Sequence, residues 1–131
     1  MKKKQRISVL FVDDSYIAVN SWRGVLESRG YDAISYSNFE DATNAIEDGL
    51  EFDIAIVDRG EERADGSLSC SSGDALIQLI GNKFPGKPVI PISGYATDCP
   101  YTNIPVLVKP FFVDEFERTI AQIVLNTGLG R

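Results

Sequence analysis

The sequence contains no histidine and only two cysteines, Cys70 and Cys99, and this scarcity excludes several kinds of site. Zinc sites are built from His and Cys ligands at characteristic spacings, and these two cysteines are not spaced as a metal pair. Two free thiols suit a reducing compartment, which predicts a cytoplasmic protein. Any chemistry in this chain therefore depends on carboxylates, hydroxyls and lysine, and a histidine needed for it belongs to another molecule.

Long apolar runs and positive charge are also lacking. The first apolar run, residues 7–12, is followed directly by Asp13 and Asp14, so it is too short for a signal sequence or a membrane-spanning helix. Lys and Arg number 13 against 19 Asp and Glu, and the net charge of -6 argues against non-specific nucleic-acid binding. The one basic run, residues 2–4 with Arg6, predicts a solvated tail. We therefore expect neither a nucleic-acid nor a membrane partner.

The 131 residues, of which 44% are hydrophobic, predict one globular domain. Its core is expected at about residues 7–125, with tails at residues 1–6 and 127–131. The chain ends just past the last predicted helix, which favours a stand-alone module or one excised from a larger protein. We expect a monomer or a weak dimer.

Five short apolar runs alternate with segments of helical period, a pattern typical of a parallel sheet covered by helices. Ser15 and Asn38 are predicted helix N-caps. Two segments depart from the pattern. Residues 59–72 exceed the usual βα loop of about 2–6 residues, and the stretch between Ser93 and Lys109 shows little helical period, which predicts a short or degenerate fourth helix. The strands are expected at residues 7–12, 31–36, 52–58, 88–92 and 105–108.

Polar residues end four of these strands. Asp13 and Asp14 follow the first, Asp58 ends the third, Ser93 follows the fourth and Lys109 the fifth. All lie at the same edge of a parallel sheet, where ligands bind in folds of this class. If the strand order is 2-1-3-4-5, the first and third strands are neighbours and the three carboxylates meet.

Such a carboxylate cluster needs a cation, because each like-charge pair at ~4 Å costs on the order of 4 kcal/mol at an effective dielectric constant of ~20. Oxygen ligands without histidine or thiolate favour Mg²⁺, with Mn²⁺ as a possible substitute. A metal-bound carboxylate is suited to receiving a phosphoryl group, and Lys109 and Ser93 supply a charge and a hydroxyl for phosphate oxygens. One aspartate is thus predicted to become an acyl phosphate.

In these residues the chain resembles a response-regulator receiver domain of two-component signalling. The matching motifs are Val12-Asp13-Asp14, Asp58, Ser93-Gly94 and Lys109-Pro110-Phe111, and the resemblance extends over roughly residues 7–125.

The resemblance implies a flavodoxin-like, doubly wound five-stranded parallel sheet of order 2-1-3-4-5. It implies that Asp58 is phosphorylated from a phosphohistidine on a histidine kinase or histidine phosphotransfer protein. Asp13, Asp14, Asp58 and the backbone carbonyl of Gly60 would surround Mg²⁺, and the Lys109-Pro110 peptide would be cis. Such a domain catalyses its own phosphorylation and dephosphorylation but is not otherwise an enzyme, and signals by protein–protein contact or phosphorelay.

Several positions depart from the family pattern. Glu62 stands where a proline is common, Val106 where a switch aromatic is usual, and Gly60 and Tyr95 occupy positions that tune phosphate lifetime. The loop after Asp58 is longer by about seven residues if Gly73 opens the third helix.

Two other function classes remain open from the sequence. A phosphorylation-independent docking module on the same fold is favoured by Val106 and by the short fourth-helix region, and disfavoured by the acidic cluster. An enzyme of the aspartate-phosphatase or flavodoxin type is disfavoured because Asp13-Asp14 fits neither an Asp-x-Asp motif nor a phosphate-binding loop.

Overall fold

The computed structural model describes residues 6–59, 73–94 and 105–128, which contain five strands and four helices. The strands are β1 (Ser8–Val12), β2 (Asp32–Tyr36), β3 (Ile54–Asp58), β4 (Val89–Ser93) and β5 (Leu107–Val108). The helices are α1 (Tyr16–Ser28), α2 (Phe39–Glu47), α3 (Gly73–Lys83) and α4 (Val113–Thr127). The predicted short helix between β4 and β5 falls on residues outside these ranges, as do Cys70, Cys99 and most of the long loop after β3.

The strands form one parallel sheet in the order β2-β1-β3-β4-β5, which confirms the predicted fold class and order. β1 pairs directly with β3, with Val9 opposite Ile54 and Val12 opposite Val57. From β1 the chain first adds β2 on one side and then crosses to add β3, β4 and β5 on the other side, so the strand order reverses between β1 and β3. In open α/β sheets the crevice at the carboxyl ends of such a pair is the usual ligand site.

Alternate residues of each strand point to opposite faces of the sheet, so helices cover both faces. On one face, strand residues pack against α1 and α4; on the other, they pack against α2 and α3. The first core contains Val9, Phe11, Ile54, Ile56, Ile90 and Ile92 with Leu26, Phe116 and Ile120. The second contains Leu10, Val12, Ala55, Val57 and Val89 with Ile46, Leu76 and Ile80. This assignment of faces decides where each residue at a strand end points.

The two predicted helix caps are confirmed. The Ser15 hydroxyl accepts a hydrogen bond from the Ala18 amide at 3.3 Å, and the Asn38 side chain accepts one from the Asp41 amide at 2.7 Å. These bonds satisfy amides that have no partner within the first turn of a helix. Because the α1 cap is only two residues past Asp13, the start of α1 stands directly beside the carboxyl end of β1.

Pro91 lies inside β4, and β4 remains paired with β3 at this position. The Ile92 carbonyl accepts from the Arg59 amide on the β3 side, whereas the Ser93 carbonyl accepts from the Lys109 amide on the β5 side. The backbone of Pro91 faces the β5 side of β4, as that of Ser93 does. Because β5 begins only opposite Ile92, no residue of β5 lies beside Pro91. The missing amide hydrogen of proline therefore costs no hydrogen bond between the strands.

Across the three described ranges, every helix is too short or too polar to cross a lipid bilayer.

Candidate functional site

The carboxyl edge of the sheet carries a cluster of three aspartates. Asp13 follows β1 and Asp58 ends β3, and the β1–β3 register continued by one residue places them side by side. Asp13, Asp14 and Asp58 each have a carboxylate oxygen within 4.8 Å of the others. Asp13 and Asp58 are only 2% and 4% exposed, whereas Asp14 is open to solvent. The three carboxylates predicted to meet at this edge therefore do so.

Lys109 reaches the cluster from the fifth strand. It follows β5 directly, and its Nζ lies 3.0 Å from Asp58 Oδ2. The side chain of Lys109 is 46% exposed, so it binds the buried Asp58 carboxylate while it remains in contact with water. The Lys109-Pro110 peptide is cis, as the resemblance implied.

The proximity of these charges alters their protonation. Burial is the main cause that raises the pKa of Asp13 to about 7, and the negative charge of Asp58 raises it further. The hydrogen bond from the Ser15 amide to Asp13 Oδ1, at 2.9 Å, and the charge of Lys109 act in the opposite direction. For Lys109, burial lowers the pKa, but the hydrogen bond and charge of Asp58 outweigh it, so the pKa is raised.

These observations indicate an excess of negative charge at the site. Among the described residues, two buried carboxylates and an exposed one lie around the Lys109 ammonium, and burial together with the charge of Asp58 raises the pKa of Asp13 to about 7. A hard divalent cation would supply the missing positive charge, and carboxylate oxygens are its preferred ligands. The arrangement therefore fits a magnesium ion by charge and by donor type.

Ser93 is buried at the end of β4, but its described partner is a residue that the sequence did not single out. Its Oγ accepts a hydrogen bond from Nη1 of Arg59 at 3.3 Å. Arg59 is itself 4% exposed, and it forms an ion pair with Asp74 in the first turn of α3. The alternation of the strand residues could have indicated that Arg59 is buried. Arg59 comes two residues after Val57, so its side chain points to the same face of the sheet, which α3 covers.

The remaining predicted positions are Gly60, Glu62, Tyr95 and Val106. The carbonyl of Gly60, proposed as a metal ligand, lies outside the described residues, and so do Glu62 and Tyr95. Val106, at the position of the usual switch aromatic, is half-buried just before β5.

No protein-family model and no curated protein sequence matches this chain. Solved structures do match over nearly the whole chain. A CheY-like response regulator receiver domain protein from Methanospirillum hungatei JF-1 superposes with a TM-score of 0.77 at 19% identity, covering 95% of this chain and 98% of the other.

Two further structures agree. A response regulator receiver protein from Sinorhizobium medicae WSM419 gives a TM-score of 0.77 at 17% identity, over 94% of this chain and 98% of that one. A response regulator from Thermotoga maritima gives 0.70 at 22% identity, over 92% and 99%. Identities this low establish the shared fold and not a shared activity. This chain therefore has the fold of response-regulator receiver domains.

Proposed function

We propose that this chain is a phosphoacceptor: Asp58 takes a phosphoryl group from a phosphohistidine of a histidine kinase or histidine phosphotransfer protein, in a reaction that needs Mg²⁺. The observation that carries the proposal is the environment of Asp58. This buried carboxylate ends the central strand, within 4.8 Å of two other carboxylates and 3.0 Å from a lysine ammonium, on the fold of receiver domains.

Asp13, Asp14 and Asp58 would hold the metal, and the Gly60 carbonyl is the predicted fourth protein ligand. Bound Mg²⁺, or Mn²⁺ in its place, neutralises the charge on the oxygens of the phosphoryl group during transfer. The burial of Asp13 beside Asp58 supports this assignment, because a bound cation would favour the ionised form of a carboxyl whose pKa is raised to about 7, and the ionised form is the one that binds metal.

The chemistry of transfer is a displacement at phosphorus. A carboxylate oxygen of Asp58 forms the new P–O bond while the P–N bond to the partner's imidazole breaks. The electron pair of that bond goes to the imidazole nitrogen, which takes up a proton from solvent. The products are an aspartyl phosphate on this chain and a neutral histidine on the partner, so atoms and charge balance.

Lys109 and Ser93 act on the phosphoryl oxygens. The ammonium of Lys109 already contacts Asp58 Oδ2, so it can donate to an oxygen of the bound phosphoryl group without crossing the site. Ser93 supplies a hydroxyl from the neighbouring strand. Attack of water on phosphorus later returns Asp58 and releases inorganic phosphate. The domain catalyses these two steps on itself, and its output is a protein–protein contact or onward transfer in a phosphorelay.

Intact-protein mass spectrometry tests the proposal. The purified chain is incubated with acetyl phosphate, with and without Mg²⁺, and we expect the mass of one phosphoryl group to be added only with the metal. Asp58→Asn should abolish the gain. The matched control is Asp32→Asn, which removes an exposed aspartate at the start of β2, at the opposite edge of the sheet, and should leave the gain intact. Absence of any gain in the wild type would refute the phosphoacceptor role and favour a docking module.

A further inference from the structure

Arg59 is a buried cation placed directly after the proposed phosphoacceptor. Its side chain is only 4% exposed, and arginine is almost never so deeply buried unless its charge is paired. The pairing is with Asp74: Nε lies 2.9 Å from Oδ1 and Nη2 lies 3.2 Å from Oδ2. Two parallel bonds between a guanidinium and a carboxylate fix orientation as well as charge. Arg59 is thus held in one position.

The remaining arm of the guanidinium contacts the proposed phosphate ligand Ser93. Nη1 of Arg59 lies 3.3 Å from Ser93 Oγ, and both residues are buried. Arginine carries donors and no acceptor, so the serine oxygen must be the acceptor in this bond. The hydroxyl hydrogen of Ser93 takes no part in this bond. A phosphoryl oxygen on Asp58 is an acceptor to which such a hydrogen can be donated.

The fold itself brings the three residues together. Arg59 continues the alternation of Ala55 and Val57, and Ser93 continues that of Val89, so both side chains point to the face covered by α3. The Arg59 amide also donates to the Ile92 carbonyl at 3.0 Å, which fixes its backbone against β4.

The start of α3 is packed against the same backbone. A Cβ placed on Gly73 would lie 1.9 Å from the carbonyl oxygen of Asp58 and 2.4 Å from Cα of Arg59. No side chain fits in that space, so glycine permits the close approach of α3 to the end of β3. This approach places the next residue, Asp74, within reach of the Arg59 guanidinium.

We propose that Arg59 is a positioning residue that orients the Ser93 hydroxyl toward the phosphoryl group on Asp58, with Asp74 as its anchor. This inference rests on the proposed function. A serine hydroxyl without a fixed donor can rotate and donate in several directions. The bond from Arg59 reaches the oxygen of Ser93 from the α3 side, so the hydroxyl hydrogen is kept away from that side. Arg59 acts through Ser93 and is not assigned a contact with the phosphate.

The test is a double-mutant cycle with beryllofluoride, a non-reactive mimic of the phosphoryl group, in the presence of Mg²⁺. Binding is followed by fluorine NMR. We expect Arg59→Met to weaken beryllofluoride binding about three- to tenfold, the effect of one buried hydrogen bond. In a Ser93→Ala background the same substitution should cause no further loss, because the group that Arg59 positions is then gone. Affinity for Mg²⁺ alone should not change.

Two other variants support the cycle if Arg59→Met folds poorly. Arg59→Lys keeps the positive charge but replaces the planar guanidinium by a single ammonium nitrogen. It cannot donate to Asp74 and Ser93 together, so it should weaken beryllofluoride binding in the same way. Asp74→Asn, at a side chain that is 27% exposed, should loosen Arg59 and give a smaller loss. Both losses should disappear in the Ser93→Ala background.

The outcomes separate the two proposals. If the wild type with Mg²⁺ fails to bind beryllofluoride, the phosphoacceptor function is wrong and the inference falls with it. In the second outcome the wild type binds beryllofluoride, but the Arg59 and Asp74 substitutions cause the same loss of affinity in the Ser93→Ala background as in the wild-type background. Arg59 would then have only a structural role. A fall in the affinity for Mg²⁺ would likewise contradict the positioning role, while the phosphoacceptor function would stand.

Discussion

Asp13 provides the sharpest test of the electrostatics of the site, because its protonation is linked to folding. Its pKa is raised from the usual 3.8 to about 7, chiefly by burial and further by the charge of Asp58. Between these two values the folded protein holds a proton that the unfolded chain has lost. Stability therefore falls as pH rises through this window, and the loss is complete once the pH is above the folded-state pKa.

The magnitude follows from the size of the shift. One pKa unit corresponds to about 1.4 kcal/mol, so a shift of roughly 3 units predicts a loss on the order of 4 kcal/mol between about pH 4 and about pH 8. A Coulomb estimate gives a similar scale. Two carboxylates at the 4.8 Å limit of the cluster repel each other by roughly 3–4 kcal/mol at an effective dielectric constant of ~20, before the opposing charge of Lys109 is included.

Urea unfolding at about pH 4 and about pH 8, with a chelator present, measures the effect. Other groups also titrate, so the informative quantity is the difference between the wild type and Asp13→Asn. Asparagine keeps an oxygen that can accept from the Ser15 amide, but it carries no charge. We expect the variant to be the more stable at the higher pH, with a flatter pH profile. Asp32→Asn, at the opposite edge of the sheet, is the control and should retain the wild-type profile.

Magnesium provides a second arm of the same experiment. At about pH 8, added Mg²⁺ should recover much of the lost stability in the wild type, because a ligand that binds only the folded state stabilises it. The recovery should be smaller in Asp13→Asn, which lacks one proposed ligand. Parallel pH profiles for the wild type and Asp13→Asn would refute the reasoning, since they would mean that Asp13 ionises in the fold as readily as in the unfolded chain.

Two further predictions concern Lys109 and the start of α3. Lys109→Met removes a charge that lowers the pKa of Asp13, so the pH midpoint of the stability loss should move to a higher value in the same urea titrations. An unchanged midpoint would contradict the assigned charge interaction. Gly73→Ala inserts a Cβ 1.9 Å from the Asp58 carbonyl oxygen, and we expect a loss on the order of 3 kcal/mol in urea unfolding. Gly81→Ala on the same helix meets no atom within 4 Å and should be neutral or stabilising, since alanine is the better helix former. Equal effects of the two alanine substitutions would show that the close approach at Gly73 is unimportant.

Much of the architecture could be predicted from local patterns. The apolar run that ends at Asp58 predicts a buried central strand, and the structure places β3 at Ile54–Asp58, with every residue buried. The caps at Ser15 and Asn38 were predictable because capping depends on side chains within three residues of the bond that they make.

The candidate site was predictable in composition but not in contacts. Polar residues at the ends of strands identify Asp13, Asp58 and Lys109, because the carboxyl ends of parallel strands share one edge. Whether those ends meet depends on strand order, and the pairing of β1 with β3 joins segments about 45 residues apart. Periodicity records which face a residue occupies; it does not record which strands are neighbours.

The ion pair of Arg59 with Asp74 shows this limit most clearly. Fifteen residues separate the two, across a stretch without any helical or strand period. The alternation in β3 determines that Arg59 points away from solvent, and a buried guanidinium requires an acidic partner. The sequence by itself therefore implies that a partner exists. Only the tertiary structure decides that the partner is Asp74 and that the remaining arm of Arg59 reaches Ser93, because both contacts depend on how closely α3 packs against the end of β3.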